Sequence, residues 1–176
     1  MRIEPTAIEG VFVVALEPHR DERGFFARSY CQDSFAVVGI ELQVRQINLS
    51  QNFLRGTLRG LHWQAAPRAD RKLVSCVAGA IWDVVVDLRP DSSTYTQWIA
   101  AELSAANYKA MYVPPGCAHG FLTLADDSMV QYVMGEAYVP DLARGARWDD
   151  PTFGIAWPFA PSTINNRDAD YPDWRV

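Results

Sequence analysis

Histidine is scarce in this sequence, with three among 176 residues. Cysteine is equally scarce. Cys31, Cys76 and Cys117 form no C-x-x-C pair and leave an odd count, so neither a disulfide framework nor a zinc knuckle is indicated. No cluster of Lys and Arg occurs, and the formal net charge of −5 argues against a general nucleic-acid partner or a membrane-surface role. No apolar run approaches the ~20 residues that a bilayer demands. The start, Met1-Arg2-Ile3-Glu4-Pro5, lacks the apolar core of a secretion signal. These absences make a cytoplasmic protein the expectation. Repeats, low-complexity stretches and linkers are missing too. One domain over residues 1–176 is expected, large enough to bury a core without staples.

What the chain does have is aromatics (six Trp, seven Tyr, eight Phe) and short apolar runs separated by Gly, Pro and Asn or Asp. Candidate strands are Val11–Leu16, Phe25–Tyr30, Gln43–Leu49, Leu73–Val77, Ala80–Leu88, Trp98–Leu103, Ala110–Val113, Phe121–Leu124 and Met129–Met134. In Ala80–Leu88, Trp82, Val84, Val86 and Leu88 share one face, while Asp83 and Asp87 share the other with Ile81 and Val85. Many short strands at this spacing predict an all-β sandwich or barrel, with a jelly roll favoured. Helical turns are expected only at Asp33–Val38 and Ala105–Lys109. The tail after Pro158 reads as loop.

Two of the three histidines sit in Gly-punctuated segments, Arg59-Gly60-Leu61-His62-Trp63-Gln64 and Pro114-Pro115-Gly116-Cys117-Ala118-His119-Gly120-Phe121. A histidine pair in an all-β chain points to a metal or an acid–base site. The second segment is similar to the second metal motif of cupin barrels. In metal-binding cupins the first motif carries two histidines at i and i+2 with a nearby glutamate; here His62 is followed by Gln64. Two histidines and a glutamine fall short of a metal's ligand set, so the pocket is read as metal-free. Proton transfer remains. Arg59 beside His62 suits a phosphate. Lys72 shares a strand face with Val74 and Cys76, and Tyr132 shares one with Val130 and Met134. A base, a cation and a phenol meeting inside a barrel would abstract a proton next to a carbonyl, hold the enolate and return a proton from the far side. Each also has a plainer reading: Tyr132 as core or rim, His119 as a hairpin cap, Lys72 as a solvated cation, and Arg23 and Arg59 as partners of surface carboxylates.

Over nearly its whole length the chain resembles the dTDP-4-dehydrorhamnose 3,5-epimerase family, metal-free sugar-nucleotide epimerases with a cupin-type jelly roll. The likeness runs through Asp21-Glu22-Arg23-Gly24-Phe25-Phe26, Gln46-Ile47-Asn48-Leu49-Ser50, Gly56 to Gln64, Lys72-Leu73-Val74, Trp82 to Arg89, Pro114 to Phe121, Arg147-Trp148-Asp149-Asp150-Pro151 and Ile155-Ala156-Trp157-Pro158. The resemblance implies that His62 is the general base, oriented by Asp168, and that Tyr132 is the general acid. It implies that Lys72 stabilises the enolate oxygen at C4. Arg23 and Arg59 would hold the diphosphate, with Gln46, Asn48, His119 and Arg167 in the site and Phe26 and Tyr138 packing on the nucleotide. It further implies a nucleotide-sugar substrate, no cofactor and a homodimer.

The chain departs from the family pattern at Ala27-Arg28, where a glutamate is usual, at Val133 and around Ala143, and at Arg167, where lysine is usual. The proposed catalytic residues are all kept while substrate contacts change. The reaction class is therefore read more firmly than the substrate. Inversion at one carbon only, a silent sugar-nucleotide-binding cupin and a metal-dependent oxygenase stand as the other readings.

Overall fold

The computed structural model describes residues 1–175; Val176, the last residue of the expected domain, lies outside them. Along the described chain run β1 (Arg2–Pro5), β2 (Phe12–Ala15), β3 (His19–Asp21), β4 (Gly24–Phe26), α1 (Gln32–Val37), β5 (Gln46–Asn52), β6 (Leu58–Gln64) and β7 (Lys72–Ala78). There follow β8 (Ala80–Asp87), β9 (Trp98–Ser104), β10 (Lys109–Val113), β11 (Cys117–Thr123), β12 (Ser128–Met134), β13 (Ala143–Gly145) and α2 (Asn166–Ala169).

One sheet has the order β1-β2-β10-β7-β12-β5 and a second the order β13-β6-β11-β8-β9; β3 and β4 form a separate hairpin. From β5 to β13 every connection except β8–β9 passes from one large sheet to the other. The strands therefore close as a sandwich of jelly-roll type, as the alternation in the sequence predicts.

Period-2 patterning explains the layers. In β8, Ile81 and Val85 point between the sheets and pack with Val74, Cys76, Leu103, Met111, Phe121 and Val130. Trp82, Val84 and Val86 point outward and are covered by the returning tail through Phe153, Ile155, Trp157 and Trp174. The outer face of the first sheet (Val14, Leu73, Ala110, Tyr112, Val133) is covered by Phe35 of α1 together with Ile40 and Leu42. Both sheets are thus buried on two sides at their centres, and their strands read as near-continuous apolar runs.

Several boundaries differ from expectation. The strand expected over Phe25–Tyr30 ends at Phe26, because its partner β3 is three residues long and pairing stops at His19↔Phe26. The one expected at Gln43–Leu49 starts at Gln46 and runs to Asn52. The strand β11 begins at Cys117 rather than Phe121, which draws His119 into the sheet. Where a helical turn was expected at Ala105–Lys109, residues 105–108 form a reverse turn and Lys109 opens β10: Tyr108 has φ +55°, and the Asn107 side chain accepts from the Ser104 N–H and donates to the Glu102 carbonyl. The tail, expected as loop, contains α2, whose N-cap Asn165 accepts from the Asp168 N–H at 2.7 Å. β6, β1, β3 and β13 were not among the expected strands; glycine interrupts the first, and the others are too short to show a period.

Candidate active site between the two sheets

The motif histidines are brought side by side. His62 on β6 and His119 on β11 are direct cross-strand partners. Their strands approach unusually closely one step away. A Cβ on Gly60 would lie 2.6 Å from the Gly120 Cα and 2.8 Å from the His119 carbonyl oxygen, and Gly60 has φ +123°. Replacing Gly60 by alanine is therefore expected to strain the backbone and push β6 from β11, costing roughly 1–3 kcal/mol. Chemical denaturation would measure it; an unchanged midpoint would mean the strands part freely.

Each histidine is held by its own carboxylate. The His62 Nε2 lies 2.7 Å from the Asp168 Oδ1, and the other Asp168 oxygen accepts the Gly60 N–H at 3.0 Å. Burial would raise the Asp168 carboxyl, but the hydrogen bond and charge of His62 and the Gly60 amide outweigh it and hold the group below the usual carboxylate range. The tail delivers this aspartate. The Leu58 N–H donates to the Thr163 carbonyl at 2.8 Å, Tyr171 packs directly on Gly145, and the Trp174 N–H donates to the buried Asp150 at 2.5 Å. The His119 Nε2 lies 2.7 Å from the Asp83 Oδ1, with both side chains buried.

The opposite wall belongs to the other sheet. Tyr132 on β12 meets the His119 ring edge-on, with centroids 6.0 Å apart. Burial and then the Asp83 charge raise its phenol above the ordinary range, with Arg59 opposing. Lys72 at the start of β7 is buried and paired through Nζ with the Asp70 Oδ2 at 2.8 Å; Asp70 also accepts the Gln64 N–H at 2.8 Å. The lysine is therefore a held charge inside a pocket and not a solvated one. On β5 the alternation is inverted relative to an ordinary edge strand. Gln46, Asn48 and Ser50 line the cavity, with Leu49 at its edge, and Ile47 and Leu49 are 59% and 62% exposed. Arg59 donates from Nε to the Asn52 Oδ1 at 2.7 Å. These groups enclose a cavity of about 480 Å³, large enough for a small organic ligand.

Of the residues expected from sequence, Gln46, Asn48, Arg59, His62, Lys72, His119, Tyr132, Tyr138 and Asp168 line this one cavity. Arg167 does not; its guanidinium lies over the Tyr171 ring, 5.9 Å from the centroid. Arg23 and Phe26 are also outside it. Arg23 is at the tip of the β3–β4 hairpin, paired with Asp21 at 2.5 Å, and Phe26 is 77% exposed on the same hairpin. Asp70, Asp83, Asn52 and Ser50 were not among the residues expected at the site. Asp83 left a signal, since a carboxylate alternating with Ile81 and Val85 must find a partner inside the core. Asp70 and Asn52 left none, because their roles depend on loops and neighbours remote in sequence.

Gln64, standing where metal-binding cupins carry a second histidine, uses its whole amide on backbone. Its Nε2 donates to the Arg68 and Ala137 carbonyls at 2.5 and 3.1 Å, and its Oε1 accepts the Val139 N–H at 2.8 Å. It fixes the segment that carries Tyr138. Among the described residues no three His, Cys, Asp or Glu side chains cluster to hold a metal ion. Among the described residues no helix is long and apolar enough to cross a membrane. What the cavity offers is a histidine–carboxylate pair on one wall, a protonated phenol on the other and a buried cation. These can remove a proton from one face of a bound carbon acid and supply one to the other.

A sandwich of this topology with a histidine pair between its sheets belongs to the cupin-type jelly rolls. The family model for dTDP-4-dehydrorhamnose 3,5-epimerase matches residues 5–175, and the chain belongs to that family. The dTDP-4-dehydrorhamnose 3,5-epimerase of Methanothermobacter thermautotrophicus is 41% identical over 157 residues, covering 89% of this chain and 84% of that protein. The dTDP-4-dehydrorhamnose 3-epimerase of Streptomyces niveus is 38% identical, covering 97% and 82%. The Bacillus anthracis dTDP-4-dehydrorhamnose 3,5-epimerase, solved with TDP and PPi bound, superposes with a TM-score of 0.95 at 36% identity, covering 98% and 99%.

Proposed function

We propose that this protein inverts C3 and C5 of a dTDP-linked 4-keto-6-deoxyhexose without a cofactor. The observation that carries the reading is the placement of His62 and Tyr132 on opposite sheets facing one cavity. The C4 ketone acidifies the protons at C3 and C5. His62, oriented by Asp168, takes one of them, and the negative charge that develops on the C4 oxygen is met by Lys72. Tyr132 then protonates the same carbon from the far face, which inverts it. Arg59, held at its Nε by Asn52 and at one Nη by the Gln51 carbonyl, presents its remaining guanidinium N–H groups to the diphosphate. Gln46, Asn48 and His119 contact the substrate around it, Tyr138 stacks on the base, and Arg167 acts beside Tyr138. The family match and the TDP-bound relative support the dTDP nucleotide.

The working unit on this reading is a homodimer. The exposed apolar face of edge strand β5 needs cover, and a second copy supplies it. Arg23 and Phe26, exposed on their hairpin and away from their own chain's cavity, then have a second copy's cavity as their place of contact.

Inversion at a single carbon is the second reading, favoured by the Streptomyces relative named as a 3-epimerase. Incubation with dTDP-4-keto-6-deoxyglucose in deuterium oxide, followed by NMR, separates the two. Deuterium is expected at both C3 and C5. Label at one carbon would establish the single-centre enzyme, and label at neither would reject this substrate.

A further inference from the structure

We propose that Asp83 is a positioning residue of the epimerisation site, acting through His119 on the general acid Tyr132. The inference rests on the function proposed above and extends it to a carboxylate that the mechanism does not use.

Asp83 is on β8 and its side chain is fully buried between the sheets. One carboxylate oxygen holds the His119 Nε2 at 2.7 Å; the other, Oδ2, is buried with no hydrogen-bond partner. The pairing of β8 with β11 does not need this contact, since seven registered residue pairs already join those strands. An apolar side chain would pack there at lower cost, because a buried charge with an unsatisfied oxygen is destabilising. A group so costly that is kept in the middle of a core calls for a role beyond packing.

The surroundings show what the role is. The charged and titratable groups around Asp83 are His119 on β11, Lys72 and Cys76 on β7 and Tyr132 on β12. His119, Lys72 and Tyr132 all line the sugar-nucleotide cavity, and Asp83 does not. It sits behind them. By engaging Nε2, Asp83 fixes the orientation and tautomer of His119, as an outer-shell carboxylate does for a ligating histidine. The His119 ring then stands edge-on to the Tyr132 ring at 86° and sets the direction of the phenol that delivers the proton. Burial raises the Asp83 carboxyl while His119 and Lys72 oppose that shift, and the carboxylate they favour in turn opposes loss of the phenol proton. His62 and Asp168 form a separate pair and share no hydrogen bond with Asp83 or His119. Asp83 should therefore affect protonation by the acid and leave deprotonation by the base alone.

That separation is measurable. Asp83→Asn, His119→Gln and the double variant are compared with wild type in deuterium oxide, following deuterium exchange and inversion at the sugar carbons together with KM. In D83N, inversion is expected to fall by about 10- to 100-fold, the usual worth of an orienting carboxylate, with exchange and KM little changed. The double variant should be no slower than the slower single, since the two residues act as a unit. Exchange and inversion falling together, additive losses in the double variant, or unchanged inversion would each overturn the proposal. If D83N does not fold, H119Q carries the test: KM rises because His119 also contacts substrate, and at saturating substrate inversion must fall by a larger factor than exchange. A wild type that exchanges neither proton would overturn the epimerase reading and this inference with it. A normal wild type beside an unaffected D83N would remove Asp83 alone.

Discussion

Replacing His62 by alanine is expected to abolish both deuterium exchange and inversion, with a loss of about 10²–10⁴-fold, the range that a positioned general base supplies. The size of the effect follows from the site's asymmetry. Among the residues lining the cavity, His62 is the one joined to Asp168; its cross-strand neighbour His119 has its Nε2 engaged by Asp83 instead. Its partner is buried, accepts two hydrogen bonds and is held below the ordinary carboxylate range. Asp168 is therefore ionised throughout the neutral range and ready to stabilise the imidazolium that forms when the substrate proton arrives. Asp168→Asn preserves shape but removes that charge and can present the wrong face of the amide to Nε2. It should depress exchange and inversion in parallel, by less than H62A does. Turnover near wild type in either variant would show that the proton leaves the sugar by another route. Thermal melting beside the assay guards against a trivial cause, since Asp168 also ties α2 to β6 through the Gly60 amide.

Much of this was legible from residue order, for identifiable reasons. The sandwich was legible because strands buried on both faces keep strong apolar runs, as β7 and β8 do. His62, Lys72, His119 and Tyr132 were legible because each interrupts or accompanies such a run with a group that can ionise or donate. Asp168 was named only through resemblance. Nothing local in Asn166-Arg167-Asp168 says that the tail folds back along β6, a placement fixed by the Trp157 and Trp174 contacts on the outer face of the second sheet. Arg23 and Phe26 show the opposite failure. Their motif was recognised, but sequence order says nothing of whether a hairpin folds over its own cavity or stands away from it. The pairing of Lys72 with Asp70 and of His119 with Asp83 was equally hidden. The second depends on strand register, where a shift of one residue would turn either partner to the other face; the first depends on the loop that brings Asp70 beside the start of β7.

Tyr132→Phe is expected to separate the two half-reactions. Exchange needs only His62: the base removes the proton, trades it with solvent and returns deuterium to the same face. Inversion needs a proton from the opposite sheet, where the ring of Tyr132 meets that of His119. Removing the hydroxyl should therefore lower inversion by about 10²–10⁴-fold, the worth of a general acid, while exchange continues. The phenol suits this work because burial and the Asp83 charge keep it protonated at neutral pH, so that nearly every enzyme molecule carries the proton to be given. Phenylalanine fills the same space against Val74 and Val130, and little stability should be lost with the activity. If exchange and inversion fell equally, Tyr132 would be a binding residue, and the second proton would have to come from solvent or from His119. If inversion failed at one carbon and persisted at the other, the two centres would use different acids. A double epimerase would then be a single-centre site with a second proton donor added.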